Sequence, residues 1–205
     1  MVDYTPSSRA VLRRSPDKRQ DDETRFLKNW LKNPLRIGAV TPSGPVLARK
    51  MASHVDPNGT GPVIELGPGT GPMTAALVDR GVDPSRLVLV EYSPDFCRLL
   101  RDRFPKATVV QGDAYSLKKT LAGLLPAPAD ALVSGLPLMT RPEPLRLRLV
   151  QEAFDLLKPG APFIQFTYSV VSPVPLKSAN FSAEPSERIW RNIPPARVWV
   201  YRRGS

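Results

Sequence analysis

Short apolar runs recur through the middle of this chain, and each ends in glycine or a small polar turn. Pro62-Val63-Ile64 runs into Glu65-Leu66-Gly67-Pro68-Gly69-Thr70-Gly71, a strand entering a glycine-hinged turn and then a helix. Arg86-Leu87-Val88-Leu89-Val90 ends in Glu91, and Ala107-Thr108-Val109-Val110-Gln111 ends in Gly112-Asp113-Ala114. Asp130-Ala131-Leu132-Val133 ends in Ser134-Gly135-Leu136-Pro137. Continuous apolar runs bounded by turn residues predict buried strands. Helical patterns lie at Val46 to His54, Pro94 to Phe104 and Pro142 to Leu157. The last turns Leu145, Leu149, Val150, Ala153, Phe154 and Leu157 toward the core, and Lys158-Pro159-Gly160 stops it. A fifth strand is predicted at 162–168. An antiparallel pair follows at 187–191 and 197–201, with a turn at Pro194-Pro195. Val171 to Pro185 holds too many prolines for a long helix and is expected at the substrate mouth. The order predicts an α/β fold with an open parallel sheet and a ligand beyond its carboxyl edge.

The amino-terminal part reads differently. Residues 1–20 are rich in Arg, Ser, Pro, Asp and Gln, with little to bury, and are expected to be poorly ordered. Asp21-Asp22-Glu23 suits a helix start, and Pro34 stops the helix. At 100° per residue, Phe26, Leu27, Trp30 and Leu31 fall within about 140°. Arg25, Lys28 and Lys32 take the other side. Trp and Phe opposite Lys is the composition of a helix lying in a membrane interface. Packing of the same apolar face on the domain is the competing reading. The domain proper is then 37–205, after an amphipathic helix within 21–36.

The glycine loop narrows the ligand. Glycines at alternate positions admit positive φ and let a ligand approach the backbone. A dinucleotide fingerprint needs G-x-G-x-x-G. Here the third glycine comes one residue early, and Pro72 holds the sixth place. Glu65 sits awkwardly for a pyrophosphate and suits a ligand whose nearest charge is a cation. Glu91 ends the second strand, where a carboxylate accepts from both ribose hydroxyls. Asp113 is placed to accept from an adenine amine, with the Ala114 N–H donating to the ring. Each acid alone reads equally well as a cap or turn residue.

Charge and cysteine trim the alternatives. The net charge is +10 over 205 residues, which points to a polyanionic partner, nucleic acid or an anionic membrane. Residues 1–50 hold eleven basic and five acidic residues. Cys97 is the only cysteine, so no intrachain disulfide forms and a cytosolic setting is expected. It reads as a buried, inert thiol. His54 is the only histidine and has no metal-ligand cluster around it, so it reads as structural and no metal is expected. No run approaches the about 20 apolar residues of a membrane span, and the start has no secretory h-region.

The Glu-x-Gly-x-Gly-x-Gly loop resembles the first motif of class I S-adenosylmethionine-dependent methyltransferases. With Glu91-Tyr92-Ser93, Gly112-Asp113-Ala114 and Ser134-Gly135-Leu136-Pro137 it resembles two groups: ribosomal RNA adenine dimethyltransferases and bacterial phospholipid N-methyltransferases. Phe26-Leu27-Lys28-Asn29-Trp30, Gly38-Ala39-Val40-Thr41-Pro42-Ser43-Gly44 and Asn192-Ile193-Pro194-Pro195-Ala196 resemble the phospholipid group. The likeness runs from about residue 23 onward. It implies a Rossmann-like fold whose seven-stranded, mainly parallel sheet has helices on both faces and an antiparallel strand near its end. It also implies S-adenosylmethionine at Glu65, Gly67, Gly69, Gly71, Glu91, Tyr92, Asp113, Ala114 and Ser134. Thr41 and Ser43 are expected over its methionine end, with helix capping by Ser43 as the plainer role.

The fourth-strand motif divides the two groups. Adenine N6 methylases carry Asn or Asp, then Pro-Pro, then an aromatic that stacks on a flipped base. This chain has Ser134-Gly135-Leu136-Pro137-Leu138-Met139, with no stacking ring. An ethanolamine headgroup needs none. The reading is therefore N-methylation of phosphatidylethanolamine and its partly methylated forms toward phosphatidylcholine, on the inner face of the cytoplasmic membrane. Ser134, Gly135 and Leu136 are expected at the amine, and Tyr168 at the methylated cation, with plain packing as the alternative for Tyr168. Tyr92 and Tyr4 stand behind it, and Arg141 or Lys177 for the lipid phosphate. The partners expected are a phospholipid and an anionic membrane, without nucleic acid. An RNA adenine methyltransferase, a small-molecule methyltransferase with a lid helix and a non-catalytic cofactor-sensing lipid binder remain as alternatives.

Overall fold

A computed structural model describes residues 44–176 and 180–204. Five apolar runs form parallel strands: β1 (Val63–Leu66), β2 (Leu87–Glu91), β3 (Thr108–Gln111), β4 (Ala131–Ser134) and β5 (Phe163–Thr167). β6 (Phe181–Pro185) and β7 (Arg197–Arg203) complete a seven-stranded sheet of order β3-β2-β1-β4-β5-β7-β6. β7 is antiparallel to both of its neighbours. The chain crosses between strands through α1 (Pro45–Ala52), which precedes β1, then α2 (Pro72–Asp79), α3 (Pro94–Arg103), α4 (Leu117–Thr120) and α5 (Glu143–Leu156).

Alternation along each strand divides the core in two. Val63, Leu89, Val133 and Ile164 face α1, α2 and α3 through Leu47, Met51, Leu77 and Leu100. Ile64, Val90, Leu132 and Phe163 face α4 and α5 through Leu117, Leu149, Val150 and Phe154. β1, β2, β4 and β5 are buried along their whole length, as strands covered on both faces must be.

The expected sixth strand is displaced. Residues 187–191 contribute only the Ile189–Ala196 bridge, and the strand lies earlier, at Phe181–Pro185, inside the stretch expected at the substrate mouth. It is an edge strand, where Pro185 is tolerated because one side of the ladder is open. Phe181 holds it to the core, with ring centroids 5.8 Å from Tyr201 and 5.4 Å from Phe154. At the amino edge of the sheet, Asp130 accepts from Gly61 N–H at 2.6 Å and from Arg86 at 3.0 Å and also pairs with Lys158. That cluster fixes the starts of β1, β2 and β4, far from the loops that carry the candidate chemistry. Among the described residues no helix is long and apolar enough to cross a membrane.

Candidate functional site

Strand order reverses between β1 and β4, and their carboxyl ends open the crevice where open α/β sheets bind ligands. The register places Leu66 beside Val90 on one flank and Ser134 on the other, and Ser134 beside Gln165. The functional residues therefore converge because their strands end level.

Gly67, Gly69 and Gly71 all have positive φ, at 66°, 58° and 86°. Any other residue there is strained by about 1–2 kcal/mol. Gly67 N–H bonds to Val90 O at 3.0 Å, which ties the loop to β2. A Cβ on Gly71 would lie 2.7 Å from the Phe104 ring, so that glycine serves packing. A Cβ on Gly69 would meet nothing within 4 Å. Gly69→Ala is thus expected to cost about 1 kcal/mol of stability from αL strain alone. Its larger effect should be on ligand affinity, about tenfold or more, read by calorimetry beside a urea melt.

Glu65 and Glu91 lie on the same face of the sheet. Glu65 is 1% exposed, and its Oε2 accepts from the Thr74 hydroxyl at 2.7 Å. Its Oε1 is buried with no hydrogen-bond partner among the described residues. Burial pushes its pKa up to about 8, against the Thr74 bond, and the nearby Glu91 charge adds to the rise. Glu91 Oε2 accepts from Gly69 N–H at 3.0 Å and Oε1 from Ser93 N–H at 2.8 Å. Burial raises its pKa too, with the Ser93 and Gly69 bonds opposing. A buried acid with an unsatisfied oxygen beside a second carboxyl suits a cationic ligand, which favours its carboxylate form.

Asp113 is exposed at the end of β3, one strand from Glu91. Its Oδ1 accepts from Tyr115 N–H at 2.8 Å, so it caps the turn that contains the buried Ala114. Tyr92, just past Glu91, is 42% exposed.

The loop after β4 closes on the glycine loop. Gly135 N–H donates to Leu66 O at 2.8 Å, and a Cβ on Gly135 would sit 2.9 Å from Gly67 O. The fully buried Ser134 Oγ accepts from Leu136 N–H at 3.3 Å. The Leu136 side chain covers Gly67. Leu136 O accepts from Leu138 N–H at 2.9 Å and from Gln165 Nε2 at 3.0 Å. Gln165, which the sequence motifs do not single out, is fully buried, and its Oε1 has no partner among the described residues. A lone amide inside an apolar strand was the available signal.

Tyr168 follows β5, edge-on to Phe166 with ring centroids 5.4 Å apart, on the α1 side of the sheet. Its hydroxyl is shielded from solvent, and burial pushes its pKa up to about 12 despite the nearby Asn192 amide. Asn192 was also missed as a structural link: it accepts from Gly44 N–H at 3.1 Å and donates to Pro194 O at 2.7 Å. Gly44, not Ser43, occupies the cap position of α1. Cys97 is buried and its thiol pKa is raised by burial. The Arg141 guanidinium lies over the Tyr115 ring, 4.8 Å from its centroid. Thr41, Ser43, Lys177, Tyr4 and the helix residues Arg25, Phe26, Leu27, Lys28, Trp30, Leu31 and Lys32 lie outside the described residues. Two surface hollows, of about 220 and 350 Å³, lie on the amino edge of the sheet and include none of these groups.

Comparison with known proteins agrees with this geometry. The profile of a family described as a methyltransferase domain matches residues 63–160, from β1 to just past α5. The ornithine lipid N-methyltransferase of Singulisphaera acidiphila is 34% identical over 185 residues, covering 86% of this chain and 94% of that protein. The ribosomal RNA small subunit methyltransferase A of a Synechococcus strain is 35% identical over 116 residues. That match covers 55% of this chain and 36% of the relative. Among solved structures, TrmN from Thermus thermophilus superposes with a TM-score of 0.60 at 18% identity, over 78% of this chain and 48% of its own. The chain thus spans about half of TrmN and about a third of the ribosomal RNA enzyme. The fold and the glycine-loop edge define the class I, Rossmann-like methyltransferases. The chain belongs to the S-adenosylmethionine-dependent methyltransferase family that includes ornithine lipid N-methyltransferase. S-adenosylmethionine is its cofactor.

Proposed function

We propose that this chain methylates the headgroup amine of a membrane lipid at a membrane surface. The observation that carries the reading is the nearly end-to-end likeness to ornithine lipid N-methyltransferase. The β4 loop supports it. Leu138, where a base-methylating enzyme presents an aromatic, is 1% exposed and packs in the α5-side core. A flipped base would find no ring there. The ribosomal RNA matches cover only part of the chain and speak for shared cofactor motifs.

Bound S-adenosylmethionine supplies a methyl group activated by its sulfonium. Glu91 would hold the ribose hydroxyls with the lone pairs that Gly69 and Ser93 leave free, and Asp113 with Ala114 N–H would hold the adenine. Glu65, with its unpartnered oxygen, and the open Gly69 backbone would face the cationic end. Leu136 O already accepts two bonds, so the carbonyl assigned to the substrate amine is Gly135's, beside the glycine loop. A primary ammonium has a pKa near ~10, so about one molecule in a thousand is neutral at pH 7. Exclusion of water by bound donor and lipid would favour that neutral form by desolvation, and the main service of the loop would be to hold the amine in line with the methyl. The Tyr168 face is assigned to the methylated ammonium, which becomes a fixed cation if a third methyl is added.

Phosphatidylethanolamine and ornithine lipid both offer a primary amine. The whole-length relative supports the ornithine lipid, whereas the sequence motifs point to phosphatidylethanolamine. Incubation with labelled donor and vesicles of either lipid, followed by mass spectrometry, decides between them. Label in neither lipid, with the donor still bound, would leave a cofactor-sensing lipid binder; label in ribosomal RNA would overturn the lipid reading. The amino-terminal helix is assigned to an anionic bilayer on the inner face of the cytoplasmic membrane. Sedimentation with anionic vesicles should fall about tenfold for Trp30→Glu; equal pelleting removes that role.

A further inference from the structure

The loop between β6 and β7 is built unlike an ordinary surface loop. Ile189 and Ala196 pair across its base, with N–H to O distances of 2.7 and 3.3 Å, and Ile189 packs on the α1-side core. Asn192, 3% exposed, bonds both outward to Gly44 and back to Pro194. A base this well fastened holds up a tip that is apolar and wet. Trp190 is 72% exposed and Ile193 is 83% exposed, the most exposed large apolar side chains among the described residues. Val170 (66%) and Val171 (55%), on the loop after β5, lie on the same edge of the sheet, because Arg188 of the first loop donates to Tyr168 O of the second.

The charges along this loop are mainly basic. Arg188, Arg191 and Arg197 fall between 186 and 197, with Glu187 the single acid. The Arg188 guanidinium sits over the Trp190 ring, 5.4 Å from the centroid. An indole and an isoleucine held out beside arginines match the layered chemistry of a bilayer surface: acyl chains beneath, aromatic at the interface, anionic headgroups above. RNA is a poorer match. The other exposed apolar groups of this patch, Ile193, Val170 and Val171, are aliphatic and offer bases nothing to stack on, and one face of Trp190 is already covered by arginine.

We infer that the Trp190–Ile193 loop, with Val170 and Val171, is a second membrane anchor, set on the edge of the sheet that carries the methyl-transfer site. It is separate from the amino-terminal helix, and it rests on the reading of a lipid substrate. It presents the crevice mouth to the headgroup layer, so a lipid amine reaches Gly135 without leaving the membrane.

The test uses the full chain, without donor, and vesicles of phosphatidylcholine and phosphatidylglycerol, some brominated on the acyl chains. In a Trp30→Phe background, bromine should quench the fluorescence, and adding Trp190→Phe should remove that quenching. The double variant Trp190→Ala with Ile193→Ser should bind vesicles about tenfold more weakly, while its donor affinity and melting temperature stay at wild-type values. It should also keep its rate on a dispersed short-chain amine lipid and lose rate on vesicles. A chain that stays in solution, or one that pellets with Trp190 unquenched, overturns the inference. So does RNA binding that the double variant loses when vesicle binding is absent. Equal rates of both proteins on vesicles sink the anchor and leave the lipid substrate standing. Quenching without methylation of any lipid sinks the substrate assignment and leaves the anchor standing.

Discussion

Glu65→Gln should make the ligand-free protein more stable at pH 8 and its donor binding weaker. In the folded chain Glu65 keeps its proton up to about pH 8, because burial penalises the carboxylate. In the unfolded chain it ionises near its ordinary value. Between those limits the folded state binds the extra proton, so stability is greatest below the unfolded pKa and falls as pH rises toward 8. The loss approaches about 3–5 kcal/mol once both states are ionised. Glutamine mimics the protonated acid, can still accept from Thr74, and has nothing to ionise. The wild type should therefore melt lower as pH rises from about 5 to about 8, and the variant should lose most of that slope. Glu91, also raised, supplies the remainder. The donor brings cations that favour the Glu65 carboxylate, so wild-type binding should release a proton and tighten with pH. Calorimetry in two buffers of different ionisation enthalpy reads that proton. A wild-type melt that is flat with pH removes the argument.

Glu91→Ala should have the larger effect on the cofactor. The carboxylate is the acceptor assigned to both ribose hydroxyls, and charge-assisted bonds of that kind are worth about 1.5–3 kcal/mol each. Affinity for the donor or its demethylated product should fall about a hundredfold or more. The same carboxylate also braces the glycine loop through Gly69 and Ser93, so the variant should lose about 1–3 kcal/mol of stability as well. Urea melts separate the two losses. Unchanged affinity would mean that the ribose lies elsewhere.

The parallel strands were legible because each is a short apolar run closed by glycine or a small polar turn, and in β1, β2, β4 and β5 burial on both faces leaves no room for another pattern. Glu65 and Glu91 were legible for a related reason: an acid at the end of such a run stands out, and equal strand ends bring the two together. β6 escaped because an edge strand needs no continuous apolar run. Its burial alternates weakly, and Pro185 reads as a breaker until the open side of the ladder is known. α4, four residues long, is too short for any periodicity to show. Gln165 and Asn192 escaped because their partners, Leu136 and Gly44, are 29 and 148 residues away. The Asp130–Arg86–Lys158 cluster was hidden by the same distance.

The sheet order also dictates a sequence of assembly. β6 is made before β7 yet pairs only with it, and β5 is likewise left with a bare edge until β7 arrives. During vectorial synthesis β5, paired with β4 on one side only, therefore waits with its other edge bare, and β6 waits with no partner at all. Chains cut before Arg197 should accumulate as edge-to-edge aggregates rather than as a smaller working enzyme.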